Sequence, residues 1–138
     1  MAFTNPSLDQ IHTLLRKIHT IAVIGISTQP NRPSHRVSAA MQSYGFRIIP
    51  VRPGGGEILG EPVYGSLDEI QEPIDLVNIF RAPKHVPPVI DKSIELKLPA
   101  IWLQEGVIHP EAAGYARNAG LFTVMDRCIY KDYVELSR

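Results

Sequence analysis

Two rhythms of apolar residues alternate along this sequence, and they set the order of its elements. Ile11, Leu14, Leu15 and Ile18 recur at i, i+3, i+4 and i+7, which predicts an amphipathic helix. Ser7, followed three residues later by Gln10, supplies a capping box at its start, so residues 1–20 read as an N-terminal helix packed on the rest. Ile21 to Ile24 is instead an unbroken apolar run ending at Gly25, the mark of a strand buried on both faces. Val37, Ala40, Met41 and Tyr44 return to helical spacing, and Gly45 stops that helix. Phe46 to Val51 makes a second strand, closed by Pro53 and the glycines Gly54, Gly55 and Gly56.

The alternation continues to the C-terminus. Pro62 to Tyr64 predicts a minor strand, and Ser66 with Glu69 a second capping box opening a brief helix. Ile74 to Phe80 is a third main strand. Pro83, Pro87 and Pro88 fit only the first turn of a helix or the segment before it, and Val86, Ile90, Ile94 and Leu98 mark that helix. Ala100 to Leu103 is the fourth strand, Pro110 to Gly120 frames another helix, and Leu121 to Met125 is the last strand. Strands alternating with helices predict an α/β fold: a Rossmann-like open, mostly parallel sheet with helices on both faces. No linker interrupts the alternation, so residues 1–138 read as one domain.

Composition narrows the function. The chain carries 14 basic and 14 acidic residues, a formal net charge of zero, which offers no basic field for nucleic acid or an anionic membrane. No apolar run approaches the roughly 18–20 residues of a membrane span. Cys128 is the sole cysteine, so no intrachain disulfide forms, and no Cys/His spacing suggests a metal. A cytoplasmic protein is the expectation. Any anion it binds must be held by a local set of donors.

In open parallel sheets ligands bind beyond the C-terminal ends of the strands. Here those ends carry Gly25-Ile26-Ser27-Thr28, Val51-Arg52-Pro53, Phe80-Arg81, Gln104-Glu105-Gly106 and Asp126-Arg127-Cys128. The first loop lacks the G-x-G-x-x-G dinucleotide fingerprint, because no glycine follows Gly25 until Gly45. Ser27, Thr28 and the helix starting near Pro33 or Ser34 nonetheless offer hydroxyl and amide donors, and Arg32 and Arg36 add forked guanidinium donors suited to phosphate. A solvated βα loop is the plainer alternative. At the second strand end, where NAD-binding domains place an acid on the ribose, this chain has Arg52, which suits a phosphorylated ribose. NADP and coenzyme A both carry one.

Taken in order, Gly25-x-Ser27, Arg32-Pro33-Ser34-x-Arg36, Ile48-Ile49-Pro50-Val51, Glu57-Ile58-Leu59-Gly60, Phe80-Arg81, Trp102-Leu103-Gln104-x-Gly106 and Met125-Asp126-Arg127-Cys128 resemble the small CoA-binding proteins. These are similar to the N-terminal domain of the succinyl-CoA synthetase alpha subunit. The resemblance runs from about Ile21 to the C-terminus. It implies that the Ser27 to Arg36 loop holds coenzyme phosphates, and that Val51, Arg52 and Pro53 flank the adenosine. It further implies that Phe80 and Arg81 line the groove, and that Gln104, Gly106, Arg127 and Cys128 face the pantetheine. Arg52 stands where family members often have Asn, and the synthetase lysine of the glycine loop is absent.

Among the other reactive-looking residues, Glu105 and Asp126 read as neutralising nearby arginines, Trp102 as core, and His109 as the residue before a helix-starting proline. The leading expectation is a binding or regulatory module for CoA or an acyl-CoA, without turnover, and with a homodimer as one arrangement. The alternative is an enzyme: an NADP-linked reductase, or a thiol-based acyl or disulfide exchanger using Cys128.

Overall fold

The computed structural model describes residues 3–136. Ser7 caps α1 (Leu8–Lys17) as the sequence predicts: its hydroxyl accepts from the Gln10 amide while Gln10 reaches back to the Ser7 N–H. The helix buries Ile11, Leu14 and Leu15, each contributing about 1.5–3 kcal/mol of transfer free energy. Five parallel strands follow in the main sheet: β1 (Thr20–Ile24), β2 (Arg47–Val51), β5 (Leu76–Ile79), β6 (Ala100–Gln104) and β7 (Phe122–Arg127), in the spatial order β2-β1-β5-β6-β7. Between β2 and β5 a small antiparallel pair, β3 (Glu57–Ile58) and β4 (Glu61–Pro62), forms a hairpin of its own.

Helices cover both faces. The side chains of Val23, Trp102 and Val124 join α1, α2 (Pro33–Ser43) and α5 (Ile129–Leu136) in one core. Ala22, Val77, Ile101 and Leu103 pack beneath α3 (Val86–Glu95) and α4 (Pro110–Asn118) in the other. Alternation of side chains across each strand sends successive residues to opposite cores, which is why the strands are apolar throughout. This is the expected Rossmann-like α/β fold. No helix among the described residues is long and apolar enough to cross a membrane.

Several local expectations need correction. Ser66 and Glu69 open only a three-residue 3₁₀ turn, Leu67–Glu69; the Ser66 hydroxyl donates to the Asp68 and Glu69 carboxylates rather than accepting from a backbone amide. The expected minor strand reduces to Pro62 in β4 and a single bridge of Tyr64 to Val51. The third helix ends at Glu95 rather than running to Leu98, since Lys97 turns left-handed (φ 57°) and the Leu98 N–H returns to the Ser93 carbonyl. The helix α5 has no counterpart among the elements that the apolar spacing predicts.

Two edges of the sheet are dressed. The side-chain amide of Asn5 pairs with both backbone groups of Met125, donating to its carbonyl at 2.9 Å and accepting from its N–H at 2.8 Å. At the opposite edge, the Tyr64 N–H donates to Pro50 and the Arg52 N–H to Tyr64. At the N-terminal end of the sheet, Arg47 sits between Glu61 and Glu72, 2.6 and 2.8 Å away, and ties the hairpin down.

Candidate functional site

The chain leaves β1 toward one side of the sheet and β5 toward the other, so a crevice opens between their C-terminal ends. Gly25 closes β1 with φ 83°, its N–H donating to Val51, while the Phe80 N–H donates to Ile24. These bonds lock the three strand ends together. A Cβ on Gly25 would lie 2.6 Å from Cδ of Arg81 and 2.7 Å from the Phe80 carbonyl oxygen. Only glycine permits this approach, and it lays the Arg81 side chain over the first loop.

That loop is tied by its own side chains. Ile26 is fully buried as its anchor. The Ser27 N–H donates to the Ser34 hydroxyl at 2.8 Å, and the Ser27 hydroxyl accepts from Gln29 at 3.0 Å. Arg32 caps α2 through its backbone alone, with Pro33 in the first turn and no acid there. The helix therefore points amide groups and a positive dipole end into the crevice. Arg36 holds the loop from behind by donating to the Asn31 carbonyl. Arg52 reaches across from β2 to the Ile26 carbonyl at 3.1 Å. Among the described residues, Arg32, Arg36, Arg52 and Arg81 form no ion pair with a carboxylate. Four guanidinium charges with no acid to neutralise them suit a multiply charged anion.

Two adjoining hollows open here. One, of about 530 Å³, is bordered by Gly25, Ser27, Thr28, Arg32, Ser34, Arg52, Phe80, Arg81 and Gly106. The other, of about 580 Å³, is bordered by Arg36, Val37, Ala40, Phe80, Gln104, Glu105, Cys128, Tyr130 and Lys131. Pro33, Phe80 and Glu105 border both. The first is rich in donors and the second is mostly hydrocarbon, so together they suit an elongated ligand with one anionic and one uncharged end.

Three of the residues singled out in the sequence border neither hollow. Val51 is buried, its carbonyl accepting from Gly25. Pro53 is exposed beside the glycine turn. Arg127 grips Asp132 through two hydrogen bonds of 2.8 and 2.7 Å, a pairing that raises its pKa, and its carbonyl accepts from the indole of the buried Trp102. Glu105 and Asp126 do not neutralise arginines: Glu105 pairs with Lys131 at 3.0 Å, and Asp126 accepts from the Gly106 N–H at 2.8 Å. His109 caps α4, its Nδ1 accepting from Ala112. The residues that sequence reasoning missed, Tyr130 and Lys131, lie on α5, whose signal was present in the i, i+4, i+7 spacing of Ile129, Tyr133 and Leu136.

Fold and crevice together define a Rossmann-like domain with an arginine-rich groove at its topological switch point. The chain belongs to the CoA-binding domain family, whose model matches residues 19–133. It is 42% identical over 125 residues to the uncharacterised protein YneT of Bacillus subtilis, covering 91% of this chain and 93% of that one. A solved Thermus thermophilus structure, cell-free ID.343, is 32% identical with a TM-score of 0.90, covering 95% of this chain and 99% of that one. A dinucleotide-forming acetyl-coenzyme A synthetase 1 of Ca. Korarchaeum cryptofilum shares the fold at 20% identity and a TM-score of 0.67, covering 80% of this chain and 27% of that one.

Proposed function

We propose that this protein holds coenzyme A or an acyl-CoA across the two hollows, as a binding or regulatory module that performs no turnover of its own. The observation that carries this reading is the set of unneutralised arginines around the switch point, Arg32, Arg52 and Arg81, beside the amide end of α2. Phosphates would sit among them, near Ser27 and Thr28, where charge-assisted bonds are strongest. The uncharged arm would run past Phe80 into the hydrocarbon hollow beside Gln104 and Cys128. Family membership supports CoA as the ligand over other phosphorylated nucleotides. Among the described residues brought together there is no nucleophile hydrogen-bonded to a general base, which favours binding over catalysis.

A thermal-shift comparison of CoA, 3′-dephospho-CoA, NADP and NAD at equal concentration tests it. At about 100 times its Kd a ligand adds roughly 2.7 kcal/mol of stability. The expected result is a large shift with CoA that shrinks when the 3′-phosphate is removed. A shift with NADP alone would move the assignment to a reductase, and no shift with any of the four would remove the binding assignment.

A further inference from the structure

The binding reading uses the hydrocarbon hollow only as a place for the coenzyme's arm, yet its floor has chemistry of its own. Cys128 is only 8% exposed, but it borders that hollow. Its carbonyl accepts from the Asp132 N–H, so it stands at the N-terminal cap of α5. Lys131, on that first turn, borders the same space. Beside them lies a second, independent feature. Gln104 is 4% exposed and borders the hollow; its Oε1 accepts weakly from Ile129, at 3.4 Å, while its Nε2 donates to no described residue. The side chain is buried apart from this donor, which is left without a protein acceptor at the border of the hollow. The partner it lacks is an acceptor inside the hollow, such as an amide carbonyl of a ligand arm lying next to the sulfur.

We propose that Cys128 captures a thiol-bearing coenzyme as a reversible mixed disulfide in this hollow, with Gln104 holding the arm that presents the thiol. The capture rests on the coenzyme reading above and adds covalent chemistry to it. The oxidant is the coenzyme's own disulfide. The Cys128 thiolate attacks one sulfur of that disulfide, the S–S bond between its halves breaks, and a new bond joins Sγ to the bound half. The released half leaves as a thiolate and takes up the proton that Cys128 gave up. Cys128 is oxidised as the leaving sulfur is reduced, and a free thiol reverses the step. The Lys131 ammonium, held by Glu105 at 3.0 Å, borders the same hollow as the reacting sulfur.

The test follows adduct formation on the full chain by intact-protein mass spectrometry, with CoA disulfide and glutathione disulfide as probes. The expected result is one adduct with CoA disulfide, removed by dithiothreitol, forming roughly ten-fold or more faster than with glutathione disulfide, because binding supplies proximity. Acetyl-CoA in excess should slow it, and Gln104→Leu should reduce the preference while leaving the glutathione rate alone. Cys128→Ser should form no adduct with either disulfide. A wild-type protein that shifts with CoA but forms no adduct, or reacts equally with both disulfides, overturns the capture while the binding assignment stands. Absence of the CoA shift in the wild type overturns both.

Discussion

The two ends of this sheet handle arginine in opposite ways. At the N-terminal end, Arg47 is enclosed by Glu61 and Glu72, and the Asp75 carboxylate accepts from the amides of His19 and Thr20. Arg47, Glu61, Glu72 and Asp75 each have a counter-charge or donor within the fold. At the C-terminal end, Arg32, Arg52 and Arg81 form no ion pair among the described residues, and Arg52 donates to the neutral Ile26 carbonyl. Like charges left together cost stability through mutual repulsion. The contrast shows that a zero net charge hides a division: Arg47 is closed within a carboxylate pair, while Arg32, Arg52 and Arg81 have no ion pair among the described residues.

The division can be broken most severely at Gly25. Gly25→Val forces a branched side chain into left-handed backbone and against the Phe80 carbonyl, so denaturant titration should show a loss of about 2–3 kcal/mol or more together with loss of the CoA shift. Arg81→Ala should separate the two quantities. Its unfolding midpoint without ligand should hold or rise, whereas CoA affinity, read by calorimetry, should fall about ten-fold or more for the lost charge-assisted bonds. Equal affinity in that variant would remove Arg81 from the site. The mirror experiment is Arg47→Met, where ligand affinity should stay the same and stability fall by only about 1 kcal/mol, because the network is about one-third exposed.

The smallest effect is the pH dependence of that last difference. The hydrogen bond from Arg47, with its charge, holds the Glu72 carboxyl below its ordinary 4.5. A depressed carboxyl stabilises the fold above its unfolded pKa, and the contribution disappears as pH falls through the folded value. Stability curves of wild type and Arg47→Met should therefore converge as pH drops below the carboxylate range. A gap that persists in acid would mean Arg47 acts through packing rather than charge.

Much of this arrangement was legible in the residues. Ile21 to Ile24 and Ala100 to Leu103 announce buried strands because side chains on both faces must be apolar, and the arginines at strand ends stood out because a sheet has no structural need of them. What stayed hidden depends on long-range partners. Nothing local tells Arg127 from Arg81, yet one closes on Asp132 and the other lies over Gly25. The pairing of Glu105 with Lys131 was equally out of reach, since it depends on α5 returning over the end of β6. The end of the third helix escaped because Leu98 keeps the apolar spacing after the backbone has turned at Lys97.

Asn5 gives the edge of β7 the partner a neighbouring strand would supply, spending its amide on both backbone groups of Met125. Tyr64 does the same for β2 at the far side. At these positions the ladder offers no open rung to another chain, so a second copy cannot extend the sheet there by strand addition. Replacing Asn5 by Ala would expose the Met125 backbone groups, at which cross-chain pairing could begin.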